Sequence, residues 1–141
     1  MRFSIRTLLI VLVVCAFAAA FVASEVHTRA VRDNENRQTI VAFMVCDHLL
    51  SNTNEWPSNW GALKPHFEAR YKKTSPWSFD DLKDSILLDF KVDGPSLMGV
   101  AINPEKSKAF CAIQSKNGFN EFRNVDPNQI VLNHFRNMIS Y

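Results

Sequence analysis

The sequence predicts an α+β fold in which an N-terminal transmembrane helix precedes a small domain. That domain is expected to contain an amphipathic helix, short helical turns, a three-stranded antiparallel sheet and a C-terminal helix. Three observations lead to this prediction: an uncharged apolar run near the N-terminus, a change from helical to alternating periodicity at Ile86, and an Asn-Gly pair between two strand-like segments. The expected regions are 1–24 as the signal-anchor helix, 25–36 as a polar helical stalk and 37–141 as an exported α+β domain.

The apolar run extends from Thr7 to Ser24 and contains no charged residue. As a helix it is about 27 Å long at about 1.5 Å per residue, which just spans a hydrocarbon core of about 30 Å. Arg2 and Arg6 are the only charged residues before Glu25, and the positive-inside rule keeps such a flank in the cytoplasm. The sequence therefore predicts one pass through the inner (cytoplasmic) membrane, with the N-terminus cytoplasmic and the C-terminal domain exported.

A cleavable signal peptide is the alternative interpretation of this segment. Val22, Ala23 and Ser24 offer small residues before a cut at Glu25. The apolar run is at the long end for a signal peptide, and a helix-favouring segment follows it without a break, so a retained anchor is favoured. Removal of the residues before Glu25 would make the domain secreted or periplasmic.

The next two segments predict a helical stalk and an amphipathic helix. Residues 25–36 are polar and contain neither Gly nor Pro, so they are able to continue the membrane helix. From Arg37 to Leu50, apolar residues recur at helical spacing on one face: Ile40, Val41, Met44, Val45 and Leu49. The polar residues Arg37, Gln38 and Asp47 are expected away from that face.

Short helical turns rich in Trp and Pro are predicted after a turn at residues 51–54. Ser58 is expected to cap one that ends at Leu63, and Pro65 to open another from His66 to Tyr71. Ser78 and Asp81 resemble a capping box for a third. The aromatic residues here are expected to form core, since a small sheet needs large side chains to bury enough area: Trp56, Trp60, Phe67, Tyr71, Trp77 and Phe79.

Three strands are predicted from the second half of the chain. Ile86 to Val92 alternates apolar and polar residues, and Lys108 to Gln114 is a second strand. Asn117 and Gly118 form a hairpin signal, from which a third strand, Phe119 to Asn124, returns.

The C-terminal segment predicts a helix that Asp126 caps and Pro127 opens. Its buried side is expected to comprise Ile130, Val131, His134, Phe135 and Met138.

The cysteine residues do not form a metal-binding pattern. Cys15, Cys46 and Cys111 include no pair at CxxC spacing. Cys46 on the amphipathic helix and Cys111 in the second predicted strand are expected to be two buried thiols. A disulfide between them is the alternative, since the domain would enter an oxidising compartment.

Composition and spacing also exclude several function classes. Of the 16 Lys and Arg residues only Arg2 and Arg6 precede Glu25, whereas all 14 Asp and Glu lie at or beyond it. The domain is thus electrically balanced, which argues against nucleic acid as a partner. The four histidines are His27, His48, His66 and His134, and none has co-ligand spacing. Asp80, Asp81 and Asp84 lie at a predicted helix start, where capping explains them.

The sequence resembles two groups of known proteins. The WPSNW segment that begins at Trp56, the PWSF segment that begins at Pro76 and the opening RFSIRTLL segment are similar to a group of short, uncharacterised bacterial single-pass membrane-anchored proteins. The group supplies no activity. The general plan also resembles type IV pilins and pseudopilins, although Arg2 and Thr7 depart from residues that pilins conserve for processing and assembly.

We therefore expect a membrane-tethered, non-enzymatic domain that interacts with a protein or envelope partner. No catalytic, cofactor-binding or metal-ligating residue is assigned. One alternative is a pseudopilin-like subunit of a secretion or filament assembly. Another is a carbohydrate- or peptide-binding module that uses the Trp cluster of Trp56, Trp60 and Trp77.

Overall fold

The chain is mostly helical and carries one small sheet. The computed structural model describes residues 4–118, 120, 122 and 125–139. In chain order they form helix α1 (Ile5–Ser51), helix α2 (Trp60–His66) with a π-helical turn (Phe67–Tyr71), helix α3 (Phe79–Ser85), strand β1 (Ile86–Leu88), a 3₁₀ turn (Gly94–Ser96), helices α4 (Leu97–Ile102) and α5 (Pro104–Ala109), strand β2 (Ile113–Ser115) and helix α6 (Pro127–Ile139). The chain divides into two compact units, Met1–Asp33 and Asn34–Tyr141.

The described part of the first unit is the N-terminal portion of α1. No Gly or Pro interrupts the chain from Ile5 to Ser51, which explains why the predicted anchor, stalk and amphipathic helix form one continuous helix. Its large apolar side chains are exposed, for example Phe17 at 74% and Phe21 at 69%. This portion is long and apolar enough to cross a membrane, by length and composition, as a membrane anchor or a signal sequence would be.

In the second unit, the C-terminal portion of α1 lies at the centre of the core. Val41, Met44, Val45 and Leu49 have no exposed surface, as their helical spacing predicts. Gln38 was expected on the polar face. That prediction is wrong, because the Gln38 side chain is also fully buried. It lies three and four residues before two buried positions and therefore shares their face. Later elements complete the core with Leu63, Phe67, Leu82, Ile86, Leu97, Ile113, Val131, Leu132 and Phe135.

Helix α2 differs from the prediction at both of its ends. The side chain that caps it belongs to Asn59, which accepts a hydrogen bond from the Ala62 amide at 3.2 Å, and not to Ser58. Pro65 lies inside the helix instead of opening a new one. The backbone then widens into the π-helical turn of Phe67–Tyr71. Because a proline within a helix removes one amide donor, we attribute the local irregularity to Pro65.

Helix α3 begins with the capping box that the sequence predicts. The Ser78 hydroxyl accepts a hydrogen bond from the Asp81 amide at 3.1 Å, and Asp81 Oδ2 accepts one from the Ser78 amide at 2.8 Å. The hydrogen bonds from Ser78 lower the pKa of Asp81 below its ordinary value. Asp81 therefore has the capping role expected of it.

The sheet has two strands among the described residues, so the prediction of three is not matched. Strand β1 pairs antiparallel with β2, and Ile86 lies opposite Ser115. Strand β1 ends at Leu88, short of the predicted Val92, because Asp89 Oδ1 accepts a hydrogen bond from the Lys91 amide and closes a turn. Of the predicted third strand, residues 119, 121, 123 and 124 lie outside the described part of the chain.

The predicted second strand, Lys108 to Gln114, is also too long. Helix α5, which follows α4, includes the first two residues of that range. Asn103 Oδ1 accepts hydrogen bonds from the amides of Glu105 and Lys106, and Pro104 is the first residue of α5. This start is a strong one for a helix. Helix α5 continues to Ala109. Of the predicted strand, only Ile113 and Gln114 belong to β2.

The free edge of β2 is occupied by side chains of asparagine residues. Asn128 is 2% exposed. Its Oδ1 accepts hydrogen bonds from the amides of Ala112 and Ile113, both at 2.8 Å, and its Nδ2 donates to the Ile113 carbonyl at 3.0 Å. Asn120 Oδ1 accepts from the Ser115 amide at 3.0 Å. These side chains satisfy backbone groups that a third strand would otherwise pair.

Helix α6 starts as predicted, and its predicted buried side is partly correct. Asp126 Oδ1 accepts a hydrogen bond from the Asn128 amide at 2.8 Å, which caps the helix. Val131 and Phe135 are buried as predicted, and the other buried residues are Pro127, Asn128 and Leu132. Met138 was expected on this side and is wrong, since it is 41% exposed. The attachment of Asn128 to β2 sets the rotation of α6 about its axis.

Candidate functional site

The candidate site is a surface on the second unit that we call the Phe43 face. It consists of Asn36, Thr39 and Phe43, which lie on one side of α1 at helical spacing, and of the two grooves that these residues border. Phe43 is 40% exposed although it belongs to the helix at the centre of the core. A large aromatic side chain that is left exposed between two concave surfaces is typical of a binding surface.

The first groove has a volume of about 520 Å³ and lies between α1 and α6. Cys46 from α1 and Ile130 from α6 contribute apolar surface, and Val125 lies at the start of α6. Amide side chains of Asn36, Asn133 and Asn137 contribute polar surface. A volume of this size falls within the range of ligand and peptide pockets.

The second groove has a volume of about 350 Å³ and lies on the other side of Phe43. Ile40 from α1 lines it, together with Tyr71, Thr74, Ser75, Pro76 and Trp77. Thr74 and Ser75 bring hydroxyl groups, and Trp77 brings an indole ring. Asn36, Thr39 and Phe43 line both grooves, so Phe43 forms a ridge between them.

The Phe43 face carries very little charge. Charged residues make up 21% of the chain, whereas Glu35 is the single Asp, Glu, Lys or Arg among the described residues that line the two grooves. Glu35 is only 3% exposed. Because charged residues are depleted at the centres of protein interfaces and aromatic residues are enriched there, the composition of this face matches an interface better than an ordinary solvated surface.

Cys46 and His134 share the first groove, and both are held in their neutral forms. Burial, with a smaller effect of Asp47, raises the pKa of the Cys46 thiol to about 12. Burial also lowers the pKa of His134. A thiol with so high a pKa carries almost no thiolate at neutral pH and is a poor nucleophile. A Cys-His nucleophilic pair is therefore disfavoured in this groove.

Each of the three Trp residues contacts another residue of the second unit. Trp56 is buried, and its indole nitrogen donates to the Asp89 carbonyl at 2.8 Å. Trp60 makes edge-to-face contacts with Phe79 and Phe90. The guanidinium of Arg37 lies 5.1 Å from the centre of the Trp77 ring. Trp56 is core, as predicted, while Trp60 and Trp77 are half-buried at its edge.

The thiols also differ from the expectation. Cys46 and Cys111 are both free, and Cys46 is buried as predicted. Cys111 is exposed, and so the prediction of two buried thiols is wrong. The reason is that Cys111 lies in an irregular segment between α5 and β2 and not within a strand.

The fold brings two histidines together that are distant in the sequence. The rings of His48, near the end of α1, and His66, at the end of α2, have centroids 5.5 Å apart and are perpendicular. His48 Nδ1 lies 3.2 Å from the Asn52 side-chain nitrogen. Burial, and next the proximity of His66, lower the pKa of His48, against smaller opposing effects of the Ala62 backbone and Glu55. The described residues contain no group of three or more side chains suited to a metal ion.

The His48 environment predicts that acid destabilises the fold. The imidazole in the unfolded chain, with a pKa of about 6.5, binds a proton before the folded imidazole does. The contribution of neutral His48 to the free energy of unfolding is therefore fully present above about pH 6.5 and is lost as the pH falls below it. We expect the free energy of unfolding, measured by urea titration of the full chain in detergent, to fall between pH 7.5 and 5.5. The variant His48→Gln should show a smaller fall, and an equal fall in this variant would contradict the assignment to His48.

Sequence reasoning did not identify the Phe43 face. The sequence did contain a signal for it. Phe43 is a large apolar residue, and helical spacing places it on the side of α1 opposite to the buried face that includes Val41 and Ala42. The groove residues beyond α1 come from segments far apart in the chain, so only the folded structure groups them. We found no protein-family model, curated protein or solved structure that matches this chain.

Proposed function

We propose that this chain is a membrane-tethered, non-enzymatic binding domain whose partner is a protein that contacts the Phe43 face. The observation that carries the proposal is the exposed Phe43 ridge between two nearly uncharged grooves. Such a surface is unfavourable in water and is stabilised when an apolar partner covers it. The high pKa of the Cys46 thiol gives no support to a nucleophilic role for this residue.

Tethering is supported by the exposed apolar surface of the first unit. Its side chains would have no favourable environment in water, and a bilayer would provide one. We propose that the segment from Thr7 to Ser24 stays in the inner membrane, with the N-terminus cytoplasmic and the rest exported. The unbroken helix across residues 22–25 supports retention over cleavage at Glu25, because that site lies within regular helix.

The proposed topology predicts the behaviour of a C-terminal reporter. Alkaline phosphatase, which is active only outside the cytoplasm, is fused after Tyr141 and is expected to be active. A cytoplasm-only reporter at the same position should be inactive, and the reverse pattern would contradict the orientation. Mass spectrometry of the unfused chain tests retention: a retained anchor preserves the 16.1 kDa mass, and cleavage before Glu25 removes the anchor.

A pseudopilin-like assembly subunit is a second candidate. The supporting observation is the single helix from Ile5 to Ser51, which runs from the apolar segment into the folded unit and matches the general plan of those proteins. A subunit of this kind should co-purify with stoichiometric copies of itself or its relatives after membrane solubilisation. Purification of the chain alone, without such copies, would count against this candidate.

A further inference from the structure

We infer that the partner of the Phe43 face is a second copy of this chain, arranged about a two-fold axis that passes close to Phe43. This inference rests on the proposed function, since it names the partner of that same surface. The shape of the face suits contact with an identical face. In a two-fold contact the same patch of each copy meets itself, and a ridge with a groove on either side allows each Phe43 to enter a groove of the other copy.

The charge of the face is compatible with contact between identical copies. Side chains near a two-fold axis face their own equivalents, so a like charge at that position would repel itself. The two grooves have Glu35 as the single charged residue among their described lining residues, and Glu35 is buried. The described lining residues therefore bring no exposed charge that would oppose contact between identical surfaces.

The hydrogen-bonding groups of the face are also suited to an identical face. The polar groups on the face are amides and hydroxyls, among them Asn36, Thr39 and Asn137. Amides and hydroxyls both donate and accept hydrogen bonds, whereas carboxylates only accept and ammonium groups only donate. Such groups are able to bond to their own equivalents across a two-fold axis, so the face is complementary to itself.

The shared membrane also favours contact between copies of this chain. Copies that are tethered in one bilayer are held on the same side of it. Confinement also raises the effective concentration of one copy around another. A contact centred on one aromatic ridge would be weak between free domains, but it is sufficient for dimer formation at this higher effective concentration. An unrelated partner would have none of the symmetry that makes this face suited to itself.

Photocrosslinking of the full chain in native membranes tests the identity of the partner. The photoreactive residue p-benzoyl-L-phenylalanine replaces Phe43 in one variant and Leu87 in a matched control. Leu87 is 51% exposed, lies on β1 and lines neither groove of the Phe43 face. We expect position 43 to give a covalent product of twice the chain mass and position 87 to give none.

The other outcomes are distinct. A product with a different, identified protein from position 43 alone would overturn the second copy and leave the proposed function standing. An adduct with only lipid or carbohydrate, or no adduct at all, would overturn both. An equal dimer yield from positions 43 and 87 would show non-specific association and also overturn the inference.

A charge-swap experiment tests the two-fold arrangement itself. Phe43→Glu and Phe43→Lys, each alone, are expected to reduce the dimer fraction at least tenfold, because like charges meet near the axis. Mixing differently tagged Glu and Lys copies should restore dimers between them, and failure to do so would overturn contact between positions 43. Thermal unfolding of each variant verifies that the fold is intact, as Phe43 is largely outside the core.

Discussion

The variant Asn128→Ala is expected to lose about 3–5 kcal/mol of unfolding free energy. The substitution leaves the buried amides of Ala112 and Ile113 and the Ile113 carbonyl without their side-chain partner. Each unsatisfied buried group costs about 1–3 kcal/mol, and partial entry of water should keep the total below the simple sum. Because small domains are stable by about 5–15 kcal/mol, this one change removes a large share of the total.

The matched control for this prediction is Asn137→Ala on the same helix. Asn137 is exposed, and its variant should lie within about 0.5 kcal/mol of the native chain, as is usual for surface substitutions. The measurement is chemical unfolding of both variants, as full chains in detergent. Equal stabilities of the two variants would show that Asn128 does not hold the edge of β2.

The variant Gly94→Ala is expected to destabilise the fold by about 2–3 kcal/mol. A Cβ atom at Gly94 would lie 2.5 Å from the Asn54 carbonyl oxygen and 3.1 Å from the Trp56 amide nitrogen. These are backbone atoms in the turn after α1, where Thr53 and Asn54 have φ angles of 53° and 65°. A backbone shift in this packed turn is costly, as is typical of overpacking. It would also strain the hydrogen bond from the Trp56 indole to Asp89.

Gly99 supplies a control of opposite sign. It lies inside α4, and a Cβ atom there would have no neighbour within 4 Å. Gly99→Ala is therefore expected to stabilise the chain by about 0.5–1 kcal/mol, since Ala favours helix over Gly. Thermal unfolding of the two variants side by side measures the difference. A similar effect of both substitutions, in size and sign, would contradict the close packing at Gly94.

The effects predicted for stability and for association fall on different residues of the second unit. Asn128 and Gly94 are buried and hold the second unit together through side-chain and backbone contacts. Phe43 is on the same unit but stands outside its core. Substitutions at the first two should therefore change stability, and substitutions at Phe43 should change association with little effect on stability.

Local patterns in the sequence determined several elements correctly. The uncharged apolar run, the absence of Gly and Pro from Ile5 to Ser51, and the helical spacing of Val41, Met44 and Leu49 predicted α1 and its buried face. The Ser78 capping box and the start of α6 were also correct. These features depend on residues within a few positions of one another, so their physical causes are contained in short stretches of sequence.

The tertiary structure decided the features that depend on distant residues. Asn128 replaces a strand partner along the edge of β2, and no local pattern distinguishes that asparagine from the others. His48 approaches His66 only because α1 and α2 pack together. The Phe43 face combines α1 with segments about 30 and about 90 residues further along the chain. Sequence alone predicted that α1 is helical. Packing decided which side of α1 remains exposed, because exposure depends on which surfaces the rest of the chain covers.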